Sequence, residues 1–175
     1  MSRSKPPKPR KKKEPQELNR NECTSMEDIR PAICKDIQAV FELNLASFAE
    51  AWSHQALMDV LDHDYDLDVW HTTRGKLAAY YLGQDVLDEV HIMQLAVAPA
   101  FRRQGLGVRM TRYILDKKHH EGMRHVWLEV RTSNVAAQHL YTGLGFRISG
   151  TRKDYYTPKP SGFPREDALA MRYDL

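Results

Sequence analysis

Two stretches of the sequence combine residue types and spacings that suit chemistry. The first is Gln94-Leu-Ala-Val-Ala-Pro-Ala-Phe-Arg-Arg-Gln-Gly-Leu-Gly107. An apolar run stops at Pro99, and a basic, glycine-containing turn leads into a segment with helical apolar spacing. Such a turn aims several main-chain N–H groups, and the positive end of a helix dipole, at one anion. Gly105 and Gly107 let the main chain approach a ligand closely. Arg102 and Arg103 add charge beside the same spot. The predicted ligand group is a pyrophosphate. The spacing is not that of the two usual nucleotide loops: there is no Gly-x-x-x-x-Gly-Lys-Ser/Thr and no Gly-x-Gly-x-x-Gly opening a first strand–helix unit. Taken alone, the stretch also reads as an ordinary strand–turn–helix junction.

The second stretch is Val126-Trp-Leu-Glu-Val130. Val126, Leu128 and Val130 alternate and share one face of a strand, so Trp127 and Glu129 share the other. A carboxylate in the middle of an apolar strand loses solvation. Desolvation favours proton uptake and suits a general base. A surface carboxylate on a half-exposed strand is the plain alternative.

Positioning these groups requires a mixed α/β domain. Ile29 reads as a short first strand, followed by a helix through Ile33, Ile37, Val40 and Phe41. Ser53 is a plausible N-cap for a second helix carrying Ala56, Leu57, Val60 and Leu61. Leu67 and Val69, then Leu77, Ala79 and Tyr81, alternate around Arg74-Gly75 and predict a hairpin. Val90 to Val97 is the next apolar run. A helix from about Leu106 to His119 carries Met110, Ile114 and Leu115 on one side. After the strand at Val126–Val130 comes a helix of small residues with Ala136, Ala137, Leu140 and Leu144, ended by Gly143 or Gly145. Phe146 to Ser149 and Ala168 to Tyr173 are the last strands. Asp62, Asp64, Asp66 and Asp68 form an acidic stretch that reads as a solvated loop, with a surface for a basic substrate as the alternative.

The chain has 175 residues, enough for one core, with 42% hydrophobic and 28% charged residues. No apolar run approaches the roughly 20 residues of a membrane helix, and no apolar segment follows the basic N-terminus as a secretory signal needs. The two cysteines, Cys23 and Cys34, form no disulfide framework and have no metal-finger spacing. They predict reduced thiols in a cytoplasmic protein, Cys34 as a small apolar residue in a helix. Residues 1–22 hold eight Lys/Arg against Glu14, Glu17 and Glu22. With the whole chain at +3, that leaves −2 for residues 23–175. The boundaries expected are a disordered basic tail over 1–22 and one domain over 23–175. The tail reads either as a solubilising extension or as an attraction to RNA or the ribosome.

Arg102-Arg-Gln-Gly-Leu-Gly107 resembles the Arg/Gln-x-x-Gly-x-Gly/Ala signature of the GNAT (Gcn5-related) acetyltransferases, preceded by their strand in "LAVAP". "WLEVRTSNVAAQHLYTGLGF", Trp127 to Phe146, resembles the second half of that fold in its RimI branch, the bacterial ribosomal-protein-alanine acetyltransferases. "AWS" at Ala51 to Ser53 and "DYYTP…REDALAM" are similar to the same branch. The resemblance covers roughly residues 26 to 174. It departs from the branch in lacking the proline common before Trp52, in a longer stretch from Thr157 to Phe163, and in the basic tail.

The resemblance implies the GNAT fold, a strongly twisted mixed sheet that splays open between the strands ending at Val97 and Val130 to hold acetyl-CoA. It implies coenzyme contacts from the main chain of Leu95, Ala96 and Val97. The phosphate-binding turn becomes Arg103, Gln104, Gly105, Leu106, Gly107 and Val108, with Arg102 beside it. Asn134 is implied as a side-chain contact, beside its plain reading as a helix N-cap. The Val97 N–H is the natural donor to the thioester oxygen. Glu129 matches the branch's general base; Glu89 and His91, on the earlier strand where many relatives place a carboxylate or ordered water, are the alternative bases, with His91 also reading as a partly exposed strand residue. Tyr141, one turn beyond Ala137, matches its proton donor to the coenzyme sulfur, although a packed core aromatic is the rival reading. The implied activity is acetyl transfer from acetyl-CoA, without a metal, to a protein's N-terminal amine, that of an alanine on a small-subunit ribosomal protein. Two other readings stay open: a GNAT enzyme acting on lysine side chains or a small amine, and an inactive coenzyme- or ribosome-binding module.

Overall fold

A computed structural model describes residues 29–157 and 165–175. The expected tail over 1–22, with Cys23, lies outside the described residues, as does most of the Thr157 to Phe163 stretch. In chain order the elements are β1 (Ile29–Pro31), a 3-10 turn (Cys34–Asp36), α1 (Ile37–Ser47), α2 (His54–Val60), β2 (Asp66–His71), β3 (Leu77–Val86), β4 (Glu89–Val97), α3 (Leu106–His120), β5 (His125–Arg131), α4 (Val135–Leu144), β6 (Arg147–Tyr156) and β7 (Glu166–Asp174). The seven strands form one sheet ordered β1-β2-β3-β4-β5-β7-β6. Only β4 and β5 run parallel; all other neighbours are antiparallel.

The helices begin and end where their sequences allow. Ser53 Oγ accepts the Ala56 N–H at 3.1 Å, the predicted cap of α2. The last turn of α3 carries Lys117, Lys118, His119 and His120 against the negative end of its dipole. α4 ends at Gly145, whose φ of 103° no L side chain adopts readily. Gly145, not Gly143, is therefore the stop.

Helices cover both faces of the sheet, and each layer has its own apolar cluster. Met110, Ile114 and Leu115 of α3 pack with Val126, Leu128, Val130, Phe146 and Met171 on one face. Ile37, Val40, Leu43, Leu57 and Val60 of α1 and α2 pack with Val69, Tyr80, Leu82 and Ala96 on the other. The expected alternation in the hairpin β2–β3 is thus overturned. Four consecutive residues of β2 and six of β3 are buried, because a central strand between two helical layers has no wet face. β5 keeps the alternation, with Val126, Leu128 and Val130 buried.

Two further expectations are corrected. Asp66 and Asp68 are not part of a solvated loop: both lie in β2, and Asp68 is buried. They face the last turn of α3, where Lys117 Nζ reaches Asp68 at 2.9 Å and Asp66 at 3.1 Å. Lys118, only 1% exposed, pairs with Asp66 and sits 2.7 Å from both Asp85 and Glu121. A lysine is buried at such a cost only when carboxylates surround it. Cys34, in turn, is exposed in the 3-10 turn and not packed in a helix.

Candidate active site

The parallel ladder between β4 and β5 runs from Glu89↔His125 to Ile92↔Leu128 and stops. Beyond it the two strands diverge, and a cleft of about 620 Å³ opens between them. Leu95 lines it from β4, Glu129 and Arg131 from β5, and Asn134, Ala137 and Tyr141 from α4 and the turn before it. The opposite wall is built by the α1–α2 loop, with Glu50 and Trp52, and by Arg152, Tyr155 and Tyr156 at the end of β6.

Glu129 has a 22% exposed side chain, and its Oε1 lies 3.1 Å from Arg152 Nη2. The Tyr156 hydroxyl donates to its main-chain oxygen at 3.1 Å. Burial, with the Glu129 charge next, pushes the Tyr156 phenol up to about 12, so it stays a donor at neutral pH. Tyr141 is 8% exposed, edge-on to Phe146 at 5.4 Å. Its ring packs in the core and it also lines the cleft. Burial raises its phenol above the ordinary value and keeps it protonated.

Asn134 caps α4, its Oδ1 accepting the Ala137 N–H at 3.1 Å, and still lines the cleft. Glu166, from β7, accepts the Ser133 N–H at 2.7 Å and fixes the turn that presents Asn134. Hydrogen bonds from Ser133, opposed in part by burial and joined by those from Arg131 and Thr132, hold the Glu166 carboxyl down to about 2.

On the β4 side the main chain is laid open. Ala98 donates to Ala78 O at 2.8 Å. Strand N–H groups alternate in direction, so the Val97 N–H points the other way, toward the unpaired edge. Arg102 Nε donates to the Val97 carbonyl on that edge at 2.9 Å. Ala96 is buried in the cluster beneath α1 and α2, which leaves only its main chain for a ligand.

The turn from Arg102 to Val108 lies beyond the cleft lining, at the start of α3. Arg103 has φ 63° and Gly105 φ 81°, and no side chain caps the first turn of the helix. The first-turn N–H groups of a 15-residue helix are therefore left without a side-chain cap, as an anion site requires. Gln104 Nε2 braces the turn on Ala100 O at 3.1 Å. The side chain of Leu106 goes to the core. Gly107 also sits where α3 and α4 come close: a Cβ there would stand 2.8 Å from Leu140 Cδ1, the tip of a side chain that would have to shift.

His91 lines the cleft and lies 3.8 Å from Glu89, which does not line it. Three contributors escape the sequence patterns. Asn44, buried in α1, donates to Trp52 O at 2.8 Å and accepts from Gln94 Nε2 at 3.2 Å, while Tyr80 donates to Gln94 Oε1 at 2.8 Å. This buried chain fixes the α1–α2 loop against β4. The third, Arg152, has no signal in the alternation of its own strand.

The family model for the Acetyltransferase (GNAT) family matches residues 37–146. The ribosomal protein bS18-alanine N-acetyltransferase of Escherichia coli (strain K12) is 37% identical over 136 residues, which are 78% of this chain and 89% of that one. A Bacillus subtilis (strain 168) protein with the same description, given as putative, is 33% identical over 144 residues, 82% of this chain and 92% of its own. The crystal structure of the Escherichia coli ribosomal-protein-S18-alanine N-acetyltransferase superposes with a TM-score of 0.75 at 34% identity, covering 83% of this chain and 92% of that one.

Proposed function

The chain belongs to the GNAT family of N-acetyltransferases, and we propose that it moves the acetyl group of acetyl-CoA to the N-terminal alanine of a small-subunit ribosomal protein. The observation that carries this reading is the splayed β4–β5 cleft with Glu129 and Tyr141 on its walls. The substrate named for the bS18-directed relatives supports the choice of amine.

In this reading the uncapped start of α3, with Arg102, Arg103 and Gln104, holds the coenzyme's pyrophosphate. The open edge at Leu95 to Val97 pairs with its pantetheine arm, and the side-chain amide of Asn134 adds a contact. An α-ammonium with pKa of about 7.7–8 must lose a proton before it can attack. Glu129 takes that proton, directly or through water. The Val97 N–H donates to the thioester oxygen as it gains charge. The new N–C bond forms as the C–S bond breaks, and Tyr141 gives its proton to the departing sulfur. The amine's second proton restores the Tyr141 hydroxyl, so one proton is released per acetyl group. We also assign the basic residues 1–22 to attraction toward the RNA-rich ribosome, in the cytoplasm.

The test is acetyl transfer, followed by mass, to peptides with free Ala-Arg, Ser and Met starts and to an N-blocked lysine peptide. Strong preference for the Ala start is expected. Preferential lysine acetylation would keep the family and overturn the substrate, and binding of acetyl-CoA without transfer would leave only a binding module.

A further inference from the structure

Among the described residues two carboxylate and two guanidinium side chains line the cleft: Glu50, Glu129, Arg131 and Arg152. Two are committed elsewhere. Glu50 accepts the Thr157 N–H at 2.6 Å. Arg131 donates to Glu166 at 3.1 Å and lies over the Tyr156 ring at 4.1 Å. The remaining two hold each other, Glu129 Oε1 to Arg152 Nη2 at 3.1 Å, and this pair is lightly anchored. The Arg152 side chain is 55% exposed against 25% for Arg131, and among the described residues its guanidinium otherwise lies over the Tyr155 ring at 5.4 Å.

The pair does not arise from neighbouring strands. β7 lies between β5 and β6, and the register aligns Glu129 with Ala170 and Gly150, and Arg131 with Ala168 and Arg152. Directly opposite residues point to one face, as do residues two apart on a strand. All six therefore share a face, and directly between Glu129 and Gly150, and between Arg131 and Arg152, β7 places an alanine, Ala170 and Ala168. Two strand spacings are about 10 Å. A glutamate and an arginine bridge that gap because nothing larger stands between them. Just past Arg152 the register slips, resuming at Tyr156↔Glu166, with Asp154 at φ 50°. Such a bulge re-aims side chains beside a site, and here Arg152, Tyr155 and Tyr156 all reach the cleft.

We propose that Arg152 is a specificity-determining stand-in for the substrate's α-ammonium: it holds Glu129 in the empty enzyme, yields it to a cationic amine, and takes it back once the amine has become a neutral amide. The inference rests on the reading of Glu129 as the base that the amine must meet. A partly buried carboxylate left without a cation is costly, so one cation is exchanged for another. Acetylation removes the charge that held the substrate there, and Arg152 then competes without opposition, which favours release of the product. Because Arg152 competes with the substrate, removing it tightens amine binding, the opposite of what removal of a peptide anchor does.

The test measures binding of a six-residue Ala-Arg peptide and of its N-acetylated form to the full chain saturated with CoA, which cannot react. In Arg152→Ala the free-amine peptide is expected to bind about two- to fivefold tighter, the range of a half-exposed ion pair, with the acetylated peptide unchanged. Arg152→Lys should behave as the parent, and in a Glu129→Gln background the Arg152→Ala gain should vanish. Weaker or unchanged binding of the free-amine peptide to Arg152→Ala, with its thermal midpoint retained, overturns the proposal. So does a gain that persists without the Glu129 carboxylate. The base reading fails separately, through a normal kcat in Glu129→Gln.

Discussion

At the scale of single residues, the two groups assigned to proton transfer make separable predictions. Glu129→Gln keeps the shape of the side chain and removes the base, so kcat should fall by about 10²–10⁴ with acetyl-CoA affinity unchanged. Tyr141→Phe keeps the packing against Phe146 and removes the proton, and should lower kcat by roughly 10² while leaving KM for the peptide alone. Single-turnover rates check both; a normal rate in either variant removes that residue from the chemistry. Glu129 was legible because β5 keeps a period of two, with one face in the core and one in the cleft. Arg152 was not. Its reach depends on the alignment of β6 across β7 and on a register slip, and no periodicity within one strand reports which residues lie opposite it on another. Asn44 and Gln94 were silent for a related reason: a polar residue in an apolar run shows its purpose only when its partner, 50 positions away, is in view.

Among the elements, α3 is tied to the sheet at its C-terminal end by charge. Lys118→Met leaves Asp85 and Glu121 without their shared cation and Asp66 with Lys117 alone, and we expect a loss of about 2–3 kcal/mol, moderated by the part-exposure of the carboxylates. Urea unfolding measures it, and a loss under 0.5 kcal/mol, roughly the scale of an exposed pair, would sink the argument. The pH dependence has a definite sign. Burial alone would raise the Asp66 carboxyl, but hydrogen bonds and charge from Lys118 and Lys117 bring it below its ordinary 3.8. Its contribution is therefore present above the unfolded value and lost as pH falls toward the depressed folded one. The acid loss of stability should be shallower in Lys118→Met. The sequence order of strands and helices predicted this architecture well, boundaries included for α3, β4 and β5. What it concealed was that β2 and β3 are covered on both faces, which made Asp66 and Asp68 look like loop residues. A stretch with aspartate at 62, 64, 66 and 68 reads as solvated until the lysines of a helix some 50 residues later are laid over the two that lie in β2.

For the whole molecule, charge is divided between the tail and the rest of the chain. The first 22 residues carry +5 while the remainder sums to −2. If the tail draws the enzyme to ribosomes, removal of residues 1–22 should weaken co-sedimentation at low salt, the difference closing as salt rises. Equal association of both forms at low salt makes the tail a solubilising extension. No helix among the described residues is long and apolar enough to cross a membrane. The division of the core has a consequence of another kind. The loop that carries Glu50 and Trp52 rests on the cluster under α1 and α2, while α3 and α4, the helices assigned to the acetyl donor, rest on the other. Changes confined to the first layer are cushioned from the second by the thickness of a sheet, and distant changes combine nearly additively. A lineage can therefore redraft which chain end it recognises, one substitution at a time, without relearning how to hold its acetyl donor.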